Sequence, residues 1–285
     1  MNSFLITDTA DKIPIEKHGR QLVWHDEFQG NKINSEKWHM LRSMYTEGRI
    51  YDNSEKHIRV ENGNLHMRIC RNGDTYSLPE GLATKNTMNF KYGYLEMRAR
   101  LPYRHGAWPS FWTRGNSVFH NKDLGWFAET DIAEVFSSVC RVSPNLHIWG
   151  NHGHTMLPGE ENNMQRTYKF DNPDTLNSEY HTYAYEWDRE TIKFYVDDTC
   201  YFKTYIDDRS VLLCDNYPTA EGFHEPQYII LNNELFTEKS EWAPAGAAVT
   251  AADEMPIDYY VDYIRLYQSR KNEYIYIKDE ISQYL

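Results

Sequence analysis

Leu95-Glu96-Met97-Arg98-Ala99-Arg100-Leu101 places an apolar side chain at every second position and a charged one between each pair. A period of two belongs to a β-strand with one face in a core and the other toward water. Leu65-His66-Met67-Arg68-Ile69 repeats the pattern. Further on, Ile192-Lys193-Phe194-Tyr195-Val196 leads into Asp197-Asp198 and then Tyr201-Phe202-Lys203-Thr204-Tyr205-Ile206, which predicts a β-hairpin with a short polar loop. From His181 to Trp187 the aromatic side chains Tyr183, Tyr185 and Trp187 share one side, and Tyr228 to Leu231 and Tyr259 to Tyr267 are two more β-rich runs. No long amphipathic helix stands out before residue 270, and Ala243 to Ala252 reads as a surface loop. In the last fifteen residues Tyr274, Ile277, Ile281 and Tyr284 fit a helical face, while Tyr274-Ile275-Tyr276-Ile277 suits a strand equally. Many short strands punctuated by Gly, Pro, Asn and Asp predict an all-β domain, one antiparallel sandwich or barrel.

The length of 285 residues is compatible with a single all-β domain, since such domains commonly reach ~200–250 residues. We see no repeat or low-complexity linker that would divide it. The 30 Lys and Arg against 42 Asp and Glu leave a net charge of −12, which argues against nucleic acid or an anionic membrane as partner. No apolar run approaches the ~18 residues of a spanning helix. The opening Met1-Asn2-Ser3-Phe4-Leu5-Ile6-Thr7-Asp8 has no basic n-region and does not read as a secretory signal, leaving cytoplasm, or secretion after removal of a signal. Cys70, Cys140, Cys200 and Cys214 lie far apart and are expected to be free thiols. Aromatic residues reach 15%, a composition suited to strands and to flat, amphipathic binding surfaces.

Chemistry concentrates in Trp126-Phe127-Ala128-Glu129-Thr130-Asp131-Ile132-Ala133-Glu134-Val135-Phe136. Three carboxylates within six residues are unusual in a strand flanked by bulky apolar residues, because acids are depleted from strands and unpaired charges are expensive to bury. Glu129 and Asp131 project from one face of a strand, and Glu134 would face the other way. One extra residue, a β-bulge at Ile132-Ala133, would return Glu134 to the face of the other two. Glu129 and Glu134 would then have Cα atoms ~13 Å apart. Two inward-leaning Glu side chains permit the ~5–5.5 Å carboxyl separation of a retaining glycosidase without excluding the ~6.5–9.5 Å of an inverting one. Crowded like charges raise at least one pKa and keep one acid protonated near neutrality, the division of labour that glycoside hydrolysis requires.

At these residues the chain resembles glycoside hydrolase family 16, in the laminarinase, agarase and carrageenase branch with a bulged E-x-D-x-x-E motif. Four other stretches carry the resemblance, which covers about residues 20–268: Trp24-His25-Asp26-Glu27-Phe28 with Trp38; Asn62-Gly63-Asn64-Leu65; Tyr92 to Pro102 followed by Trp108-Pro109-Ser110-Phe111-Trp112; and Tyr260-Val261-Asp262-Tyr263-Ile264-Arg265-Leu266-Tyr267. The resemblance implies a concanavalin-like β-jelly-roll sandwich of two antiparallel sheets with a substrate cleft. It also implies retaining endo-hydrolysis of β-linked glucan (β-1,3- or mixed β-1,3/1,4-glucan) or, alternatively, of β-galactan. A lectin-like module that kept the fold and lost turnover is a further alternative, disfavoured by the presence of all three acids. Ala128 and Ala133 stand where laminarinases usually carry Gly and Met, and Phe136-Ser137-Ser138-Val139 is not their usual continuation. Those departures bear on the sugar and leave the acids untouched.

By position in the motif, the resemblance makes Glu129 the nucleophile, Glu134 the acid/base and Asp131 the residue that positions and tunes the nucleophile. Trp108, Trp112 and Trp126 are expected to stack on sugar rings, with core packing as their other use. His147 is expected to bond substrate or a catalytic carboxylate, and Asn53 to bind sugar hydroxyls or to form an ordinary Asx turn. His152 and His154 lack a third ligand at metal spacing and read as loop histidines. The resemblance further implies a structural, non-catalytic Ca²⁺ held by Glu27, Gly63 and Asp262, and no cofactor for the chemistry. The expected organisation is an N-terminal extension over 1–19, a catalytic domain over 20–270 and a tail over 271–285 packing on it. The expected partner is a polysaccharide or oligosaccharide, with the protein acting as a monomer.

Overall fold

The computed structural model describes residues 13–116, 126–150, 153–156, 167–172, 174–207, 220–241, 243–269 and 271–282. Two sheets enclose the core. The ten-stranded sheet runs, in spatial order, through Gly153–Met156, Arg141–Gly150, Trp126–Glu134, Ala107–Gly115, Gln227–Leu235, Gly81–Ala83 and His39–Leu41. The eleven-stranded sheet runs through Thr199–Tyr205, Thr191–Val196, His181–Trp187, Gly93–Arg100, Ile257–Gln268, Asn64–Asn72, Thr75–Leu78 and Arg49–Tyr51. Its last pair is parallel, and the other pairs described here are antiparallel. Among the described residues no helix is long and apolar enough to cross a membrane.

The alternation in the sequence shows which side chains meet between the sheets. Leu95, Met97 and Ala99 face Leu65 and Met67 on the same sheet and Phe111, Ala128, Leu146 and Ile148 from the other, all buried in one cluster. Tyr183, Tyr185 and Trp187 join it, so the aromatic side of that strand is core. The hairpin Thr191–Val196/Thr199–Tyr205 turns through Asp197 and Asp198, both at positive φ (47° and 65°). Asp tolerates that left-handed region, which two-residue hairpin turns demand. Gly93 sits at φ +131°, where a Cβ would lie 2.8 Å from the Tyr267 carbonyl oxygen. Only glycine allows the Ile257–Gln268 strand that close.

At the C-terminus the strand reading of 274–277 prevails over the helical face, and a helix follows only after it. Tyr274–Ile277 pairs with Met88–Lys91 on the ten-stranded sheet, and Lys278–Ile281 then forms one helical turn whose Ile281 is buried. At the other end Glu16–Lys17 already pairs with Arg20–Gln21, so strand structure starts before residue 20. Cys70, Cys140 and Cys200 are free, and Cys214 lies outside the described residues.

Candidate active site

The outer face of the ten-stranded sheet is set by the strand Trp126–Glu134. Glu129 lies opposite Arg114 on one neighbour and His147 on the other, and Asp131 lies opposite Trp112 and Asn145. On the Ala107–Gly115 side the partner then advances by one residue, Trp112 to Phe111, while this strand advances by two, Asp131 to Ala133. Ile132 is the extra residue. Ile132 and Ala133 both enter the core, at 2% and 0% exposure, and Glu134 comes back to the outer face opposite Ser110 and Ser143. Two successive apolar residues turned inward are the local cause of the bulge.

Neighbouring strands hold these acids from diagonal positions, two residues off the direct partner. His147 Nε2 lies 2.8 Å from Asp131 Oδ2. Trp108 Nε1 donates to Glu134 Oε1 at 2.8 Å, and Asn145 Nδ2 donates to Glu134 Oε2 at 2.8 Å. The Trp149 indole lies close enough to Glu129 to favour its charged form. Burial pushes the Glu134 carboxyl up to about 8, and the Asp131 charge adds to it against the opposing pull of its two N–H donors and His147. Burial also raises Glu129, which is opposed by His147 and Arg114, and the nearby Glu134 adds to the rise. The arrangement can therefore hold one proton among several carboxyls at neutral pH, with Arg114 and Trp149 favouring ionisation of Glu129.

The aromatic candidates separate. Trp108 stacks on Phe236 (4.8 Å, 9°) and neighbours Phe136 and Tyr45 at 6.1 and 5.6 Å. Its indole is thus wedged in an aromatic group with its N–H on Glu134. Trp112 donates to Asn232 Oδ1 at 2.9 Å and packs against Ala83, Tyr228 and Ile230, which makes a flat apolar patch beside Asp131. Trp126 belongs to the strand by its backbone, and its side chain lies outside the described residues, as do His152 and the side chain of His154. Asn53 is exposed and bonded at both amide ends to Glu80, at 2.8 and 2.9 Å, so its hydrogen bonds serve a loop and not the carboxylates.

Sequence reasoning passed over Asn145, Trp149, Arg114, Tyr45 and Glu234. Asn145, His147 and Trp149 alternate, so the strand period puts Asn145 and Trp149 on the same face as His147, which only the family resemblance had singled out. Tyr45 comes from a loop, and burial, with the charges of Glu234, Glu129 and Glu134 adding to it, pushes its hydroxyl up to about 12. Glu234, opposite Trp108, is buried and accepts from Ser43 at 2.9 Å and Tyr51 at 3.0 Å, with Arg49 at 3.4 Å. No local pattern links positions 43–51 to 234.

The expected calcium ligands do not fit a cation. Arg265 grips Glu27 through two hydrogen bonds of 2.9 and 2.8 Å, with His25 at 3.1 Å, and Arg98 pairs with Asp262. A Ca²⁺ there would have to displace two guanidinium groups, because both carboxylates are already neutralised. Glu129, Asp131 and His147 do bring one donor atom each within 4.8 Å of one another. A cation at that point would occupy the charge of Glu129 and the Asp131–His147 contact.

A jelly roll with a bulged strand presenting two glutamates and an aspartate on its outer sheet face defines a class, the β-sandwich glycoside hydrolases. The chain belongs to glycoside hydrolase family 16: residues 23–269 match the model of the beta-porphyranase A–D GH16 domain. It is 28% identical over 290 residues to a beta-glucanase of Rhodothermus marinus, covering 93% of this chain and 90% of that protein. It is 26% identical over 278 residues to glucan endo-1,3-beta-glucosidase A1 of Niallia circulans, covering 88% of this chain but only 38% of that longer protein. The crystal structure of the Rhodothermus marinus laminarinase superposes with a TM-score of 0.68 at 25% identity, over 87% of this chain and 97% of that one.

Proposed function

We propose that this protein is a retaining endo-β-glycosidase that cleaves β-1,3- or mixed β-1,3/1,4-glucan. Glu134 protonates the glycosidic oxygen as the bond to the leaving sugar breaks. Glu129 attacks the anomeric carbon and forms a glycosyl-enzyme. Glu134, now ionised, takes a proton from the water that releases the product. Asp131, bonded to His147, tunes the charge of the two glutamates, and Trp112 offers a face to a sugar ring. Trp108 acts mainly through Glu134. The observation that carries the reading is the buried Glu134, held up to about 8 beside a Glu129 that faces Arg114 and Trp149. One acid is poised to give a proton and the other to attack. The relatives named for glucan hydrolysis supply the substrate.

A second reading keeps the chemistry and changes the sugar. Arg114 lies opposite Glu129 and over Phe127 at 4.3 Å, and Lys85 lies at 6.0 Å over Tyr228, the residue opposite Arg114 on the next strand. Two cations along that side of the site suit an anionic β-galactan, and the matching family model is named for beta-porphyranase. Wild type and Glu129→Gln, run on laminarin, mixed-linkage glucan, agarose and porphyran, decide the matter. Reducing ends released from the glucans by wild type alone support the first reading, and release from a galactan alone supports the second. Equal binding by both forms with no release would mean a lectin.

A further inference from the structure

The two groups on Glu134 are not equivalent donors. Trp108 Nε1–H on Oε1 can only donate, whereas the Asn145 carboxamide on Oε2 carries a donor and an acceptor, exchanged by half a turn of its terminal bond. Oε1 is therefore kept as an acceptor in every protonation state, and the acid proton belongs on Oε2. There the Asn145 N–H bond suits the carboxylate, and for Oε2–H to donate to Asn145 the amide must turn and present Oδ1. Asn145 is placed for this by its backbone pairing with Asp131 and by the buried neighbour Leu146.

We propose that Asn145 is the positioning residue for the proton of Glu134, donating to Oε2 in the carboxylate and turning to accept from Oε2–H in the acid, while Trp108 locks Oε1. The proposal rests on Glu134 being the acid/base of the reading above. As substrate arrives, the glycosidic oxygen replaces Oδ1 as acceptor of the Oε2 hydrogen. The proton passes to that oxygen with the electron pair of the breaking C–O bond, and Asn145 returns to donating. Among the described residues, the charged and titratable groups facing this carboxyl are Asp131 and Glu129 on its own strand, His147 on the next strand and Tyr45 from a loop.

The test uses the full chain with ¹³C in the Glu carboxyls, the Glu134 signal being assigned by its loss in Glu134→Gln. Its midpoint is read without substrate. Trp108→Phe removes a hydrogen bond that serves only the anion, while keeping a ring in the stack. It should raise the proton affinity of Glu134 by about tenfold, and the basic limb of kcat/KM on laminarin should rise with it. Asn145→Leu removes the donor of the anion and the acceptor of the acid together, so its midpoint should move by much less while kcat/KM falls. If Asn145→Leu does not fold, Asn145→Ala makes the same comparison. An Asn145 variant with a rise as large as that of Trp108→Phe, or with an unmoved midpoint and full activity, overturns the proposal. A raised midpoint in Trp108→Phe with an unmoved basic limb means that Glu134 is not the proton donor, and both the reading and the catalytic role of Asn145 fall.

Discussion

The outer faces of the two sheets both carry acidic residues, in opposite states. On the side of the eleven-stranded sheet Asp258 and Glu27 are each closed by cations. Asp258 is bonded to His66 at 2.6 Å and to both ends of the Arg68 fork at 2.6 and 3.0 Å, which holds it at about 2 despite burial, and Glu27 is lowered by His25 and Arg265. On the ten-stranded sheet Glu129 and Glu134 crowd each other and Asp131, Glu134 is bonded to neutral donors, and both glutamates are raised. The fold thus keeps charge for stability on one face and keeps reactivity, at a cost in stability, on the other. A carboxylate closed by a guanidinium ties strands together, whereas one left among other carboxyls holds a proton that it can deliver.

The sharpest way to break this contrast is at Glu129. Glu129→Ala should lower turnover by roughly 10⁴-fold or more with the fold intact, and azide should partly restore activity with inverted product. Azide rescue with inversion at Glu134→Ala instead would exchange the two roles.

Stability against pH is the next test. Glu134 is raised in the folded state, so it favours folding while protonated, and this contribution is lost progressively as pH rises from the ordinary Glu value of ~4.3 to about 8. Glu134→Gln has no such charge to bury. It should melt near wild type at pH 5 and several degrees higher at pH 9, by differential scanning calorimetry. Identical pH dependence of Tm in both proteins would remove the buried carboxyl from the account.

The opposite face should give the opposite sign. Asp258 is depressed, so its contribution is present above pH ~4 and is lost as pH falls toward 2. Asp258→Asn should cost about 1–3 kcal/mol in urea unfolding at neutral pH and much less at pH 2.5, without moving the pH profile of turnover. A shifted activity profile would show the two faces to be coupled.

A smaller effect is expected from Asp131→Asn. Removing its charge lets Glu134 lose its proton more easily, so the basic limb of kcat/KM should move to lower pH by a unit or less (~1 unit). The limb belongs to a coupled set of carboxyls, so the comparison is made on one soluble substrate. A limb that stays in place with activity remaining would show Asp131 to be uncoupled from the donor. Finally, with Glu27 and Asp262 each closed by an arginine, adding calcium or a chelator should leave Tm unchanged, and a calcium-dependent rise would restore the metal site.

The strands, the hairpin at Asp197-Asp198 and the carboxylate motif were legible because each is local. An alternation of two, a turn dipeptide and three acids in six residues are all written in consecutive positions. The bulge was legible for the same reason, since E-x-D-x-x-E has one residue too many for a single face. The tertiary structure alone decided who holds each acid. Trp108 and Asn145 reach Glu134 across two different strands, and Arg265 reaches Glu27 from 238 positions away. It also turned Trp108 from a free platform into a wedged donor, tied Asn53 to Glu80, and closed the expected calcium ligands with guanidinium groups. Strand periodicity specifies which face a side chain occupies, but not which strand lies alongside. Hydrogen-bond partners and pKa values depend on that neighbour, so they appear only once the sheet is assembled.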